Sequence, residues 1–201
     1  MTLELKPTRT ARDRVVDLLL VLCAADLTEE LKASPGRTTT QKIFFCARLQ
    51  GATHHSFILY RYGPYSAELH DDRAWLDAAG SLQHNRFAIT PRGSEIARHW
   101  RKLLEARNRE AFAALDASVR KRAHMSGEQA KKEAYALRVR KGEQLTTLEA
   151  LPQGESLLVD GGPVFNITAD EIEDLHVDLS MPENSARGMS GRTVPWELLP
   201  A

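Results

Sequence analysis

The stretch from Val15 to Leu31 places the hardest constraint on the fold. Val15, Val16, Leu19, Leu20, Cys23, Leu27 and Leu31 recur at helical spacing on one face, and Leu18, Leu22 and Ala25 widen that face until it nearly encircles the helix. A helix apolar around most of its circumference has to be covered on more than one side, by its own chain or by a second copy. A first helix is therefore expected from about Thr10 to Lys32, ended by Ser34-Pro35-Gly36, with core burial or homodimerisation as its two uses. Its longest apolar run, Leu18 to Ala25, falls far short of the ~20 residues that span a bilayer. Met1 to Arg14 lacks the apolar centre of a secretion signal, so a cytoplasmic chain without membrane contact is expected. Cys23 and Cys46 sit in apolar helical patterns without CxxC spacing and read as buried free thiols.

The following segments supply the covering elements. Thr38 and Gln41 fit a capping box that opens a second helix carrying Ile43, Phe44, Ala47 and Leu49, stopping near Gly51. Phe57 to Tyr60 is a short apolar segment, extended or helical, broken by Gly63-Pro64. Ser66 is a natural N-cap for a third helix, with Glu68 in its first turn and Leu69, Trp75, Leu76 and Ala79 on its inner side. Leu82 to His84 and Phe87 to Ile89 read as two short strands around Asn85-Arg86, and Thr90-Pro91 restarts a helix with proline at its first position. Three helices, a hairpin and a helix is the order of a winged helix-turn-helix domain, expected over residues 1–105 of a mainly α chain with small β elements.

Residues 106–201 are expected to form a helical segment and then an acidic β-hairpin/helix extension with a flexible tail. Ile96, Trp100, Leu103, Leu104, Phe112, Leu115 and Val119 keep one helical period to about His124. Ser126 and Gln129 form a capping box for a helix reaching about Lys141. Ser156 to Asp160 and Pro163 to Ile167 suggest a hairpin, and Thr168 with Glu171 a capping box for an acidic helix through Val177. Pro195 to Pro200 is an apolar terminal tag containing Trp196.

Charge divides along the same lines. The chain carries 27 Lys+Arg and 27 Asp+Glu. By segment, residues 1–91 hold 11 and 10, residues 92–141 hold 14 and 6, and residues 142–201 hold 2 and 11. A +8 middle followed by a −9 tail allows the two to associate within the chain, an attraction that salt weakens.

The combination Thr40-Gln41-Lys42-Ile43-Phe44-Phe45 and Tyr60-Arg61-Tyr62-Gly63-Pro64-Tyr65-Ser66-Ala67-Glu68-Leu69, with Ile89-Thr90-Pro91-Arg92-Gly93 further on, resembles the Panacea (SocA-like antitoxin) domain and the related YwgA-like proteins over about residues 38–95. The resemblance implies a regulatory or toxin-neutralising protein without catalytic chemistry, whose partner is a toxin or effector protein.

The candidate partner-binding residues are Tyr60, Tyr62, Gly63, Pro64, Tyr65, Ser66 and Glu68, with Trp196 in the tag. The three tyrosines either form an exposed patch, or two of them pack inward to fix the turn. A DNA reading uses Arg61, Arg86, Arg98, Arg101 and Lys102. It is disfavoured because the helix after the turn carries Glu68, Asp71, Asp72 and Asp77 against Arg73, and phosphates repel such a face. His54-His55, His70-Asp71-Asp72 and His84 contain metal-ligand types but not HExxH or helical H-x₃-H spacing, so neither a metal nor a cofactor is expected. No catalytic residue is assigned, since Ser126 and Ser156 lack a GxSxG context and no GxxxxGK[ST] occurs.

Overall fold

The computed structural model describes residues 9–83, 86–141, 144–157 and 164–180. These form α1 (Ala11–Glu30), α2 (Arg37–Leu49), β1 (Ile58–Tyr60), β2 (Gly63–Tyr65), α3 (Ala67–Ala78), α4 (Pro91–Arg107), α5 (Arg109–Arg122), α6 (Gly127–Tyr135), β3 (Arg138–Lys141), β4 (Gln144–Thr147) and α7 (Ala169–Ser180). The fold is thus mainly helical with two small antiparallel ribbons, and among the described residues no helix is long and apolar enough to cross a membrane.

The apolar girdle of α1 decides the architecture. Every residue from Val15 to Thr28 is buried, and α3, α4, α5 and α7 of the same chain pack around the helix. The girdle is covered from within, so it needs no second copy. Thr10 caps α1 reciprocally with Asp13: the Thr10 hydroxyl accepts from the Asp13 amide, and the Asp13 carboxylate accepts from the Thr10 amide. Helix α2 lies against α5 and α6, and a second tier of polar bonds joins the three. Ser118 Oγ donates to the Ile43 carbonyl at 2.7 Å, and the buried Arg122 reaches Ser118 Oγ (3.1 Å) and both oxygens of Glu133 (2.7 and 3.1 Å).

Four boundaries differ from expectation, each for a local reason. Helix α2 starts two residues earlier, with Gly36 as N-cap, and the Gln41 amide goes to the backbone of Ser66 instead of closing a box on Thr38. The expected continuous helix from Ile96 to His124 breaks at Asn108 (φ −131°, ψ 44°). Periodicity misses this break because both halves keep their apolar faces inward, α4 on α1 and α5 on α2. Helix α6 stops at Tyr135, not Lys141, and Arg138 to Lys141 pairs with Gln144 to Thr147 as a ribbon. The two wing strands contract to one bridge, Leu82 to Ile89, supported by Gln83 N–H on the Ala88 carbonyl at 2.8 Å; His84 and Asn85 lie outside the described residues.

Ser156 bridges Ile58, and the Leu157 amide bonds the Phe57 carbonyl at 2.8 Å, so this segment flanks β1. Val164 to Ile167 is not a strand, and the remainder of the expected hairpin lies outside the described residues. Helix α7 opens on the expected Thr168–Glu171 box and runs to Ser180, burying Leu175 and Leu179 against α1 and α4. Gly93, from the Ile89-to-Gly93 element, lies where α4 meets Ser81. A Cβ there would stand 2.1 Å from the Ser81 carbonyl oxygen, so only glycine admits this approach.

Candidate functional site

The ribbon β1–β2 is built on α2 and α3 and presents one face outward. Its register pairs Ile58 with Tyr65, Leu59 with Pro64 and Tyr60 with Gly63, leaving Arg61 and Tyr62 at the tip. Alternation sends Leu59 into the core at 1% exposure, while Ile58, Tyr60 and Tyr62 stand out at 36%, 54% and 53%. Tyr65 is half-buried, with its ring 5.8 Å from that of Tyr60.

Three buried contacts hold the ribbon rigid from beneath. The Gln41 side chain pairs with Ser66 as a strand neighbour would, donating to its carbonyl at 3.0 Å and accepting from its amide at 2.8 Å. The Ser66 hydroxyl accepts from the Leu69 amide at 3.1 Å and caps α3 as expected. The Lys42 amine, only 2% exposed, donates to the Pro64 carbonyl at 2.8 Å. Burial lowers the Lys42 amine to about 8, and the neighbouring Lys131 pushes the same way while Cys46 opposes. Gly63 has φ +89°, the left-handed region that favours glycine, and a Cβ there would also press on Lys42 Cε at 3.0 Å.

Helix α6 borders the outward face. Lys131 Nζ lies 5.8 Å above the Tyr62 ring and 5.9 Å above the Tyr135 ring, and Arg61 lies 5.5 Å from the Tyr62 ring centre. Neither cation has a carboxylate partner among the described residues.

The candidate residues therefore sort by role. Tyr60, Tyr62 and part of Tyr65 form a surface, whereas Gly63, Pro64 and Ser66 are buried supports. Glu68 is engaged with the Ser56 amide (2.6 Å) and hydroxyl (3.0 Å). Trp196 lies outside the described residues. The reading missed Lys131 and Tyr135, which enter only because α6 folds back beside the ribbon. The helical pattern offers no signal for that return.

The arginines proposed for DNA are dispersed. Arg61 is at the ribbon tip, Arg86 is exposed between α3 and α4, and Arg98, Arg101 and Lys102 lie on α4. Arg101 is closed by Glu30 (2.7 Å) and Glu105 (2.8 Å), and the shallow depression it shares with Arg98, His99 and Lys102 is lined by those same two carboxylates.

The histidine–aspartate candidates meet only in part, inside the core. His55 Nε2 lies 2.9 Å from Asp72, its Nδ1 lies against Thr53 Oγ1, and Asp17 accepts from the Thr53 hydroxyl (2.9 Å) and the His54 amide (3.0 Å). Arg9 grips Asp72 with two bonds (2.7 and 3.0 Å) and also reaches Asp17 at 3.1 Å, while Arg14 adds 3.1 Å to Asp72. Burial would raise both carboxyls. For Asp72 the hydrogen bonds from His55 and Arg9, and for Asp17 the His55, His54 and Arg9 charges, outweigh burial and hold the groups below the usual carboxylate range. Thr53, His55, Asp17 and Asp72 are all at 0% exposure, so this constellation ties α1 to α3 and offers no surface to a substrate. Among the described residues no group of three or more His, Cys, Asp or Glu is arranged to hold a metal ion.

No family model matches the chain, and neither a curated protein nor a solved structure matches it.

Proposed function

We propose that this chain is a non-enzymatic regulator that works by binding a partner protein on the outward face of the β1–β2 ribbon. The observation that carries the reading is the contrast at the turn. Tyr60 and Tyr62 are more than half exposed, yet the backbone that presents them is pinned by buried bonds from Gln41, Lys42 and Ser66. Exposed aromatics on a preorganised backbone lose little conformational entropy on binding, which is the usual make-up of an interface anchor. The burial of the Thr53–His55–Asp72 constellation supports the non-enzymatic part.

A toxin or effector is the partner class implied by the resemblance to Panacea domains. A winged-helix description belongs to the same proposal: α1, α2 and α3 would be its three helices, the bridged turn between Leu82 and Ile89 would take the place of the wing, and α4 follows it. A photo-crosslinking residue substituted for Tyr62, in cells of the source organism, is expected to yield a discrete protein adduct. The same residue at Val177, half exposed on α7, serves as the control. A Tyr62 pattern identical to the Val177 pattern would overturn the reading. Duplex DNA binding lost on Arg86→Ala would replace it with a transcriptional role.

A further inference from the structure

We infer that the ribbon face takes an acidic peptide segment of its partner, seating an apolar side chain on Ile58, Tyr60 and Tyr65 and carboxylates on Arg61 and Lys131. The inference rests on the partner-binding reading and adds the chemistry of the ligand.

Two features of the patch select that chemistry. Its floor is apolar, with Ile58 and Tyr65 paired across the strands and Tyr60 packed on Tyr65. Its border is cationic and not neutralised within the protein. Several other basic groups of the helices are closed by carboxylates, as with Arg101 by Glu30 and Glu105, Arg107 by Glu171, Arg120 by Asp116, and Lys121 and Arg122 by Glu133. Arg61 and Lys131 have only tyrosine rings against them among the described residues. The buried Lys42 amine beneath Gly63 adds positive potential at the same turn. A carboxylate arriving there gains attraction without displacing an internal partner, and it does so beside an apolar floor that excludes water.

A single-stranded nucleic acid also uses aromatic and basic side chains, but it needs open ring faces for stacking and a track of cations along the backbone. Here Tyr62 already carries Arg61 and Lys131 against its ring, Tyr60 packs on Tyr65, and the border offers one exposed cation and one half-buried one rather than a track.

The test uses fluorescence anisotropy with the full chain and four labelled probes. These are a twelve-residue peptide of Glu, Asp, Leu and Trp, its Gln/Asn counterpart, its counterpart with Gly for the apolar residues, and a dodecathymidylate. The acidic apolar peptide is expected to bind at least tenfold more tightly than the other three. In the double variant Arg61→Glu with Lys131→Glu, the acidic peptide is expected to lose at least tenfold while the Gln/Asn peptide is unchanged, with circular dichroism showing an intact fold. Tyr60→Ala is expected to weaken the acidic peptide several-fold with both cations in place. Equal binding of the acidic and amide peptides, preference for the dodecathymidylate, or no binding of the acidic peptide would each overturn the inference. A protein adduct from position 62 would survive all three results, so the ligand chemistry and the partner reading fail separately.

Discussion

Replacing Lys42 with methionine isolates the electrostatic cost of placing an amine beneath the Gly63-Pro64 turn. Methionine keeps the length and most of the volume of the lysine stem while removing the titrating group. Lys42 is 2% exposed, and its amine is lowered from 10.5 to about 8 by burial first and Lys131 second. Between pH 8 and 10.5 the unfolded chain holds a proton at this site that the folded chain has shed, so the lysine's contribution to stability rises with pH. At pH 7 the charged amine costs the fold about 3 kcal/mol, and about 1.3 kcal/mol of that is relieved by pH 9. The variant also leaves the Pro64 carbonyl without its donor, a loss of ~1–3 kcal/mol that does not change with pH. Urea unfolding of both proteins at pH 7, 8 and 9 measures the gap between them. The wild type should gain about 1.3 kcal/mol on the variant across that range, roughly 0.5 M in midpoint for a slope of ~2–3 kcal/mol/M. The Cys46 thiol, pushed up to about 11 chiefly by burial, stays protonated over this range in the folded state of both proteins. Parallel curves within ~0.3 kcal/mol, or a gap moving the other way, would show that the turn does not desolvate the amine and would refute the reasoning.

Gly93→Ala should destabilise the chain by about 3 kcal/mol or more in urea unfolding, because its methyl would meet the Ser81 backbone and not a side chain that can swing away. Gln41→Leu should cost ~2–4 kcal/mol by the same measurement, since both Ser66 backbone groups lose a buried partner. Asp17 and Asp72 are held below their ordinary range, so the stability they contribute is present above about pH 4 and lost as pH falls through their folded values. Thermal melts from pH 6 to pH 3 should show that loss in the wild type and less of it in Asp72→Asn, which starts lower by ~3 kcal/mol because Arg14 loses its carboxylate and Arg9 keeps only Asp17. Tyr62→Ala, at a site 53% exposed, should stay within ~0.5 kcal/mol of wild type in stability while weakening binding to any partner that uses the ribbon.

Helix existence was legible in the sequence wherever an apolar stripe coincided with a start signal. Ser66 and Ser126 each cap the helix expected of them, Pro91 opens α4 behind Thr90, α1 begins where its stripe was expected to begin, and it is as fully covered as its girdle demands. What failed to show were events set by contacts distant along the chain. Gln41 looks like half of a capping box until Ser66, 25 residues on, claims its amide. Asn108 sits inside an unbroken apolar period, and the break shows only in space, where α4 packs on α1 while α5 packs on α1 and α2 together. Of the site, the ribbon aromatics were legible as a cluster around Gly63-Pro64, but their division into Tyr60 and Tyr62 outside and Tyr65 half inside follows from the register. The network around Asp72 was obscured for another reason. His54, His55 and Asp72 are ordinary polar residues in the string, and the arginines that close the network come from α1 and the residue before its cap.

The charge separation along the chain takes a more specific form than attraction between a basic middle and an acidic tail. Where the acidic helix α7 meets α4, the contacts are directed: Arg107 to Glu171 at 2.7 Å, the Trp100 indole to Asp178 at 2.8 Å, and Arg92 to the Asp178 carbonyl at 2.6 Å. Leu175 and Leu179 are wholly buried beneath them, so docking is set largely by apolar burial and hydrogen bonds that salt screens poorly, with Arg107–Glu171 as an exposed ion pair beside them. On α5, meanwhile, Arg120 pairs with Asp116 of the same helix, and Lys121 and Arg122 pair with Glu133 of α6. The cations at the ribbon, by contrast with these paired ones, have tyrosine rings instead of carboxylates against them. A net charge of zero conceals that difference in how the cations are partnered.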